Sequence, residues 1–255
     1  MRPSESTRSG VSASSPDVAF STLHRIQDVS ADVGWREVLR IAPEWLVCRR
    51  YLGLVADLTN RALERPSWPE MRVTALQPTD LSALSSVDHT MTREEVARRL
   101  AEGQQCTLGW WGRDLAHARW DSTVPVYLPY LGRILRPGPG DQIVVGIYTA
   151  PAFRGRGIAS AVMVDTGRRA RANGTLRLAW LVAWWNKRSL GLARQFASRV
   201  EGTVGYWALG PWRRYFAQGH VRFEPDGSLR IGEGGPGVPR LGAVASRGSG
   251  AKWQC

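Results

Sequence analysis

Lysine is almost missing from this 255-residue chain. Lys187 and Lys252 stand alone, so arginine supplies nearly all of its 34 basic residues against 22 acidic ones, for a formal net charge of +12. A basic body attracts anions, whether small phosphates, acidic carrier proteins or nucleic acid. An excess made of arginine alone is also what codon bias in a GC-rich genome produces, so nucleic acid is not the partner expected first. Cysteine is scarce as well. Cys48, Cys106 and Cys255 are odd in number, widely spaced and without a CxxC or histidine partner spacing, so they read as free thiols and no metal is expected. Cys106 lies in an apolar run and reads as a small core residue. No apolar run approaches the ~18 residues of a membrane helix, and no apolar stretch follows Met1 to Glu5. The expectation is therefore no membrane partner and a cytoplasmic location.

What is present divides the chain into four parts. Residues 1–30, rich in Ser, Thr and Ala, and residues 224–255, rich in Gly and Pro, lack sustained periodicity and read as a disordered tail and a flexible tail. Residues 31–70 form an N-terminal extension, with a short helix at 35–41, a strand or hairpin at 45–57 on the N-terminal edge of the main sheet, and a proline-bearing linker at 61–69. Residues 71–223 form the main domain. There the pattern gives a strand at 72–76, a helix at 81–87, and a helix at 92–102 opened by the capping box Thr92-Arg93-Glu94-Glu95, with Val96, Ala97 and Leu100 turned inward. A hairpin follows at 106–111 and 115–120, then a proline-rich stretch with a short strand near 126–130. Strands at 142–149 and 176–183, helices from Gly157 and after Asn186, and strands at 203–209 and 213–216 complete an α/β (α+β) mixed sheet.

The most informative stretch is Arg154-Gly155-Arg156-Gly157-Ile158-Ala159, set between the strand at 142–149 and an amphipathic helix. A glycine-rich turn feeding a helix start presents unpaired N–H groups and the positive end of the helix dipole, which suits a pyrophosphate. A dinucleotide fingerprint would need a third glycine where Ser160 stands, and an acidic residue about 20 positions on. None occurs between Asp165 and Glu201. The hexapeptide also reads Arg-x-x-Gly-x-Ala, the pyrophosphate-loop motif of the GNAT N-acetyltransferase superfamily. With the element order β-α-α-β-β-β-α-β-α-β-β around it, the chain resembles that superfamily over residues 71–223.

The resemblance implies a GNAT acyl-CoA N-acyltransferase fold with an N-terminal extension, using acetyl-CoA or another acyl-CoA as co-substrate. It implies a splayed central strand whose backbone at Ile147, Tyr148 and Thr149 holds the pantetheine arm. N–H groups from Arg154 to Ala159 would hold the pyrophosphate, and the forked guanidinium groups of Arg154 and Arg156 would add charge. Asn186 and Ser189 match the family's Asn-x-x-[Ala/Ser], although Asn186 also reads as a plain helix cap. The family's glutamate base and tyrosine acid are here Ile143 and Ala193. Asp141 is therefore the candidate base, with Asp121 and His117 behind it, and Tyr206 the candidate acid, with Tyr215 and Tyr148 as alternatives. Trp184 and Trp185 are candidates for the substrate pocket, against a core role. The implied activity is direct acyl transfer to the primary amine of a small molecule or peptide. A degenerate CoA-binding domain with a regulatory role, or an acyltransferase whose substrate is borne by a carrier protein or tRNA, are the alternatives. A homodimer through an exposed C-terminal edge strand is the oligomer expectation.

Overall fold

The computed structural model describes residues 47–59, 63, 70–209 and 211–232. The expected helix at 35–41, the tail at 1–30, most of the linker at 61–69 and residues 233–255 lie outside the described residues. From Cys48 onward the chain forms β1 (Cys48–Asp57), β2 (Met71–Ala75), α1 (Leu81–Val87), α2 (Arg93–Ala101), β3 (Gln104–Trp111), β4 (Asp114–Ser122), β5 (Val126–Leu128) and β6 (Arg133–Arg136). It continues with β7 (Asp141–Thr149), α3 (Ile158–Ala172), β8 (Arg177–Ala183), α4 (Lys187–Gln195), β9 (Arg199–Leu209), β10 (Trp212–Gly219), β11 (Val221–Phe223) and β12 (Leu229–Ile231). Among the described residues, eight strands form one sheet in the order β10-β9-β1-β8-β7-β4-β3-β2, and four form a second in the order β11-β12-β6-β5.

Two placements differ from the sequence reading. The strand expected at the sheet's N-terminal edge is β1, and it lies inside the sheet, antiparallel to both β8 and β9. The reason is its composition: Leu54 and Val55 point to opposite faces and both are fully buried, which suits an interior strand covered on both sides. The domain also continues past residue 223. β12 pairs with β11 and β6, and Leu229 and Ile231 are buried, so this part of the expected flexible tail is a packed strand.

Alternation along the strands separates two covered faces. Leu54, Leu178 and Trp180 point toward α3 and α4, where they meet Met163, Ala193 and Phe196. Val55, Ala179 and Val204 point the other way, under Val126, Leu131, Leu229 and Ile231 of the small sheet and its turn. On that second face α1 and α2 cover the other half of the large sheet, with Leu84, Val96, Cys106, Leu108 and Trp120 in contact. Burial there pushes the Cys106 thiol up to about 12, as an inert core residue requires. The Thr92 hydroxyl caps α2 by accepting the Glu95 N–H at 3.2 Å. Only part of its predicted inward row holds. Val96 is buried, but Ala97 and Leu100 face water, because α2 lays the Arg99 guanidinium over Trp120, 5.2 Å from the ring centre. Trp180 is buried in the core, while Trp111 is half-buried.

Candidate active site

The central opening of the sheet follows from strand register. β7 and β8 run parallel but pair only at Asp141, Gln142 and Ile143, with Arg177, Leu178 and Ala179. On its other side β7 stays paired with β4 as far as Thr149, with one irregularity: Trp120 faces Gly146 and the next residue, Asp121, faces Val144. Val145 is thus an extra residue, a β-bulge, and a bulge bends the strand that carries it. Beyond the bulge β7 leaves β8, so the edge from Val144 to Thr149 has no strand neighbour on the β8 side. Ile147 stands 37% exposed there. Such an edge offers alternating N–H and C=O groups to an extended ligand.

The end of this open edge runs directly into the glycine turn. Pro151–Phe153 form a 3-10 turn, and Gly155 and Gly157 then adopt φ of 77° and 76°. Other residues pay about 1–2 kcal/mol in that region, so both glycines are required by the backbone path. Gly157 is the N-cap of α3 and has no side chain to cap it, and no acidic residue lies in the first turn. The first intrahelical bond runs from the Ala161 N–H to the Gly157 carbonyl at 3.0 Å. The N–H groups of Ile158, Ala159 and Ser160 therefore have no helical acceptor and face the turn with the positive end of the dipole. The Arg154 Nε donates to the Thr149 carbonyl at 3.0 Å, tying the turn to the end of β7. The Arg156 guanidinium lies over Phe153, 5.7 Å from the ring centre. The Ser160 hydroxyl donates to Gln195 Oε1 at 2.8 Å, bracing α3 on α4.

Across the opening, β8 ends at Ala183, and Trp184, Trp185 and Asn186 follow. Asn186 Oδ1 accepts the Ser189 N–H at 3.0 Å, so the capping role read from the sequence is present. Both tryptophans are half-buried, and the Arg50 guanidinium lies 5.8 Å above Trp184. The structure thus brings the open edge of β7, the glycine turn and the Trp184–Ser189 segment to one end of the molecule, where β7 and β8 diverge.

Of the candidate acid and base residues, Tyr148 stands on the open edge itself, while Asp141 and Tyr206 lie away from it. Asp141 sits at the paired end of β7, nearly the full strand away from Thr149. Its carboxylate is buried, accepting from Arg177 Nε at 2.7 Å and from the Gly138 N–H at 3.1 Å. This corrects the sequence reading of Asp141 as base: it is a member of a buried structural ion pair. Tyr206 lies on β9, two strands from β8, 7% exposed, with its hydroxyl 3.4 Å from the Tyr130 carbonyl. It packs the second face instead of pointing into the opening. Asp121 is held by Arg119 through Nε at 2.8–2.9 Å and Nη2 at 2.7 Å, beneath α3. His117 is fully buried, its Nδ1 2.8 Å from Thr149 Oγ1 and its Nε2 without a partner. Burial first, and then the Arg119 charge, push its pKa down to about 3, so it is neutral and cannot cycle protons with solvent. Sequence reasoning missed Arg119, although Arg-x-Asp on a strand places both side chains on one face and could have signalled the pair. It also missed Tyr51 and Tyr130, whose rings meet at 4.9 Å beside the end of β8, because their contact spans two sheets. Asp121 and Asp141 are thus both held by buried arginines, and among the described residues no group of His, Cys, Asp and Glu has a metal-holding arrangement.

Residues 130–197 match the family model described as the Acetyltransferase (GNAT) family. That segment contains the splayed strand, the glycine turn, α3, β8 and α4 of the mixed α/β sheet. Among solved structures the chain is similar to a GNAT-family protein from Novosphingobium aromaticivorans DSM 12444, at 19% identity over 62% of this chain and 62% of that one, with TM-score 0.46. It is similar to an N-acetyltransferase from Staphylococcus aureus Mu50, at 16% identity over 49% and 81% of the two chains, TM-score 0.39. A third is an aminoglycoside N-acetyltransferase in complex with CoA, at 14% identity over 49% and 89%, TM-score 0.40. The match spans about three-fifths of the Novosphingobium protein's length, 62%. No curated protein matches the sequence significantly.

Proposed function

We propose that this chain is an N-acyltransferase that binds an acyl-CoA, acetyl-CoA first among them, and passes the acyl group to a primary amine by direct attack. The observation that carries this reading is a juxtaposition: the unpaired edge of β7 leads straight into the uncapped N-terminus of α3. An extended, amide-bearing arm that ends in a pyrophosphate fits that path, since the strand edge supplies paired donors and acceptors and the Gly155–Ala159 turn supplies N–H groups. The thioester supplies the acyl carbon; the chain's part is to hold the arm along Ile147, Tyr148 and Thr149 and the phosphates against the turn. Backbone N–H groups on the open edge of β7 are the donors positioned to polarise the thioester carbonyl. With Asp141 and Asp121 held in ion pairs and His117 buried, the amine is expected to arrive unprotonated; as its nitrogen bonds the acyl carbon the thioester C–S bond breaks, one amine proton goes to water, and CoA leaves as a thiolate that takes its proton from solvent.

The engagement of Asp141 and Asp121 in ion pairs favours one second reading, a CoA-binding domain without turnover. Calorimetric titration with acetyl-CoA, beside a Gly157→Val variant, tests the binding half. Saturable binding by the natural chain, lost in the variant, is expected; absence of binding to acetyl-CoA and to longer acyl-CoAs would sink the proposal. Thiol release over a panel of primary amines tests the other half. Binding without release from any amine leaves the non-catalytic reading in its place.

A further inference from the structure

Several arginines of the sheets are compensated. Arg119, Arg136, Arg177 and Arg199 each hold a carboxylate. Two on the second face are not. The Arg133 guanidinium lies 3.8 Å from the ring centre of Tyr215, and that of Arg213 lies 4.8 Å from the ring centre of Tyr206. The two rings are 5.5 Å apart, so two cations from different sheets share one tyrosine pair. A methyl group at Gly132, in the turn before β6, would lie 3.2 Å from Tyr215 Oη and 3.5 Å from Arg213 Nη1, so the turn carrying Arg133 closes onto the same spot. Among the described residues no carboxylate pairs with Arg133 or Arg213. Cation–π contact offsets part of the repulsion between them; Arg133 Nη1 donates to the Gly132 carbonyl at 3.3 Å and Arg213 hydrogen-bonds the Tyr215 hydroxyl, which uses only part of the five N–H donors that each guanidinium carries. Arg213 is exposed and Arg133 and Tyr215 are half-buried, so the pair is reachable from solvent.

The stack also has a defined relation to the opening. Tyr206 bonds the Tyr130 carbonyl, the Tyr130 ring meets Tyr51, and Tyr51 pairs with Ala183 at the open end of β8. β9 and β10 lie two and three strands from β8, which at ~4.8 Å per strand is about 10–15 Å. This surface is on the face opposite α3 and α4.

We infer that Arg133 and Arg213, backed by Tyr206 and Tyr215, bind an oxyanion of the acceptor, so that the substrate is an amine whose far end, about 10–15 Å away, carries a phosphate or carboxylate. This rests on the acyltransferase reading for the role of the amine, but binding of the anion can be read without turnover. It separates this chain from acyltransferases that take polycationic amines, which two uncompensated guanidinium groups repel.

The test uses four probes: 8-aminooctyl phosphate, 8-aminooctanoate, octylamine and spermine, titrated calorimetrically into the full chain and assayed for thiol release with acetyl-CoA. Expected is tighter binding of one or both anionic amines than of octylamine, weakened by added salt, with spermine weakest. The ratio of phosphate to carboxylate identifies which oxyanion the site takes. Arg213→Gln and Arg133→Gln should each weaken the anionic probe about 10–100-fold and leave octylamine and acetyl-CoA binding unchanged. Unchanged acetyl-CoA affinity reports an intact fold, and Arg213→Lys should recover part of the loss. Equal affinity for octylamine and both anionic amines, or anionic binding indifferent to both substitutions, would overturn the inference while leaving the acyltransferase reading untouched. Anionic binding that responds to both substitutions without any acetyl-CoA binding would uphold the oxyanion site and overturn the acyltransferase reading.

Discussion

His117 offers a sharp test because its two readings predict opposite behaviour. As a proton-transfer base it would titrate near its ordinary 6.5; in the structure burial and Arg119 hold its pKa down to about 3. A histidine that must fold in its neutral form contributes a pH dependence of definite sign. Above 6.5 both folded and unfolded chains are neutral there and the group costs nothing. As pH falls from 6.5 toward about 3 only the unfolded chain takes up the proton, so stability is lost through that window. From pH 7 to pH 5 the loss is about 2 kcal/mol. This figure depends only on the unfolded pKa as long as the folded one lies well below 5. Urea unfolding at both pH values, for the natural chain and for His117→Asn, gives the measurement. The natural chain should lose about 2 kcal/mol more than the variant over that interval, about 4–8 °C in Tm for a domain of this size. Parallel pH dependences, or an imidazole resonance titrating between pH 6 and 7 in the folded protein, would refute the burial argument and return His117 to the candidate bases.

Other expectations follow from the same geometry. Asp141→Asn should lower stability by roughly 3 kcal/mol, because it removes the carboxylate of a buried ion pair with Arg177, yet the folded fraction should retain kcat; a large fall in kcat at unchanged stability would restore Asp141 as a base. Asp121→Asn should cost about 3–5 kcal/mol by stranding Arg119 under α3, read by urea unfolding. Gly157→Ala forces a side chain into φ of 76° and should cost about 1–2 kcal/mol, appearing as weaker acetyl-CoA binding, lower stability or both. Tyr206→Phe should leave kcat with a neutral amine within about twofold, since its hydroxyl only meets the Tyr130 carbonyl at 3.4 Å.

What the sequence by itself determined is local in origin. The 142–149 strand, the two glycines and the following helix are legible because each signal lies within a few residues: apolar run, obligate positive φ, uncapped helix start. The same is true of the Thr92 cap and the Asn186 cap, whose hydroxyl and amide reach only three residues ahead. Only the tertiary structure decided the rest. β1 could be recognised as a strand, but its place between β8 and β9 depends on partners more than a hundred residues away, and strand pairing carries no local mark. Asp141 and Asp121 read as candidate bases until burial showed which arginine faces each. The splay needed both the short β7–β8 register and the bulge at Val145, and the Arg133–Arg213 pair needed two sheets to meet, because charges far apart in sequence become neighbours only when packing puts them on one face.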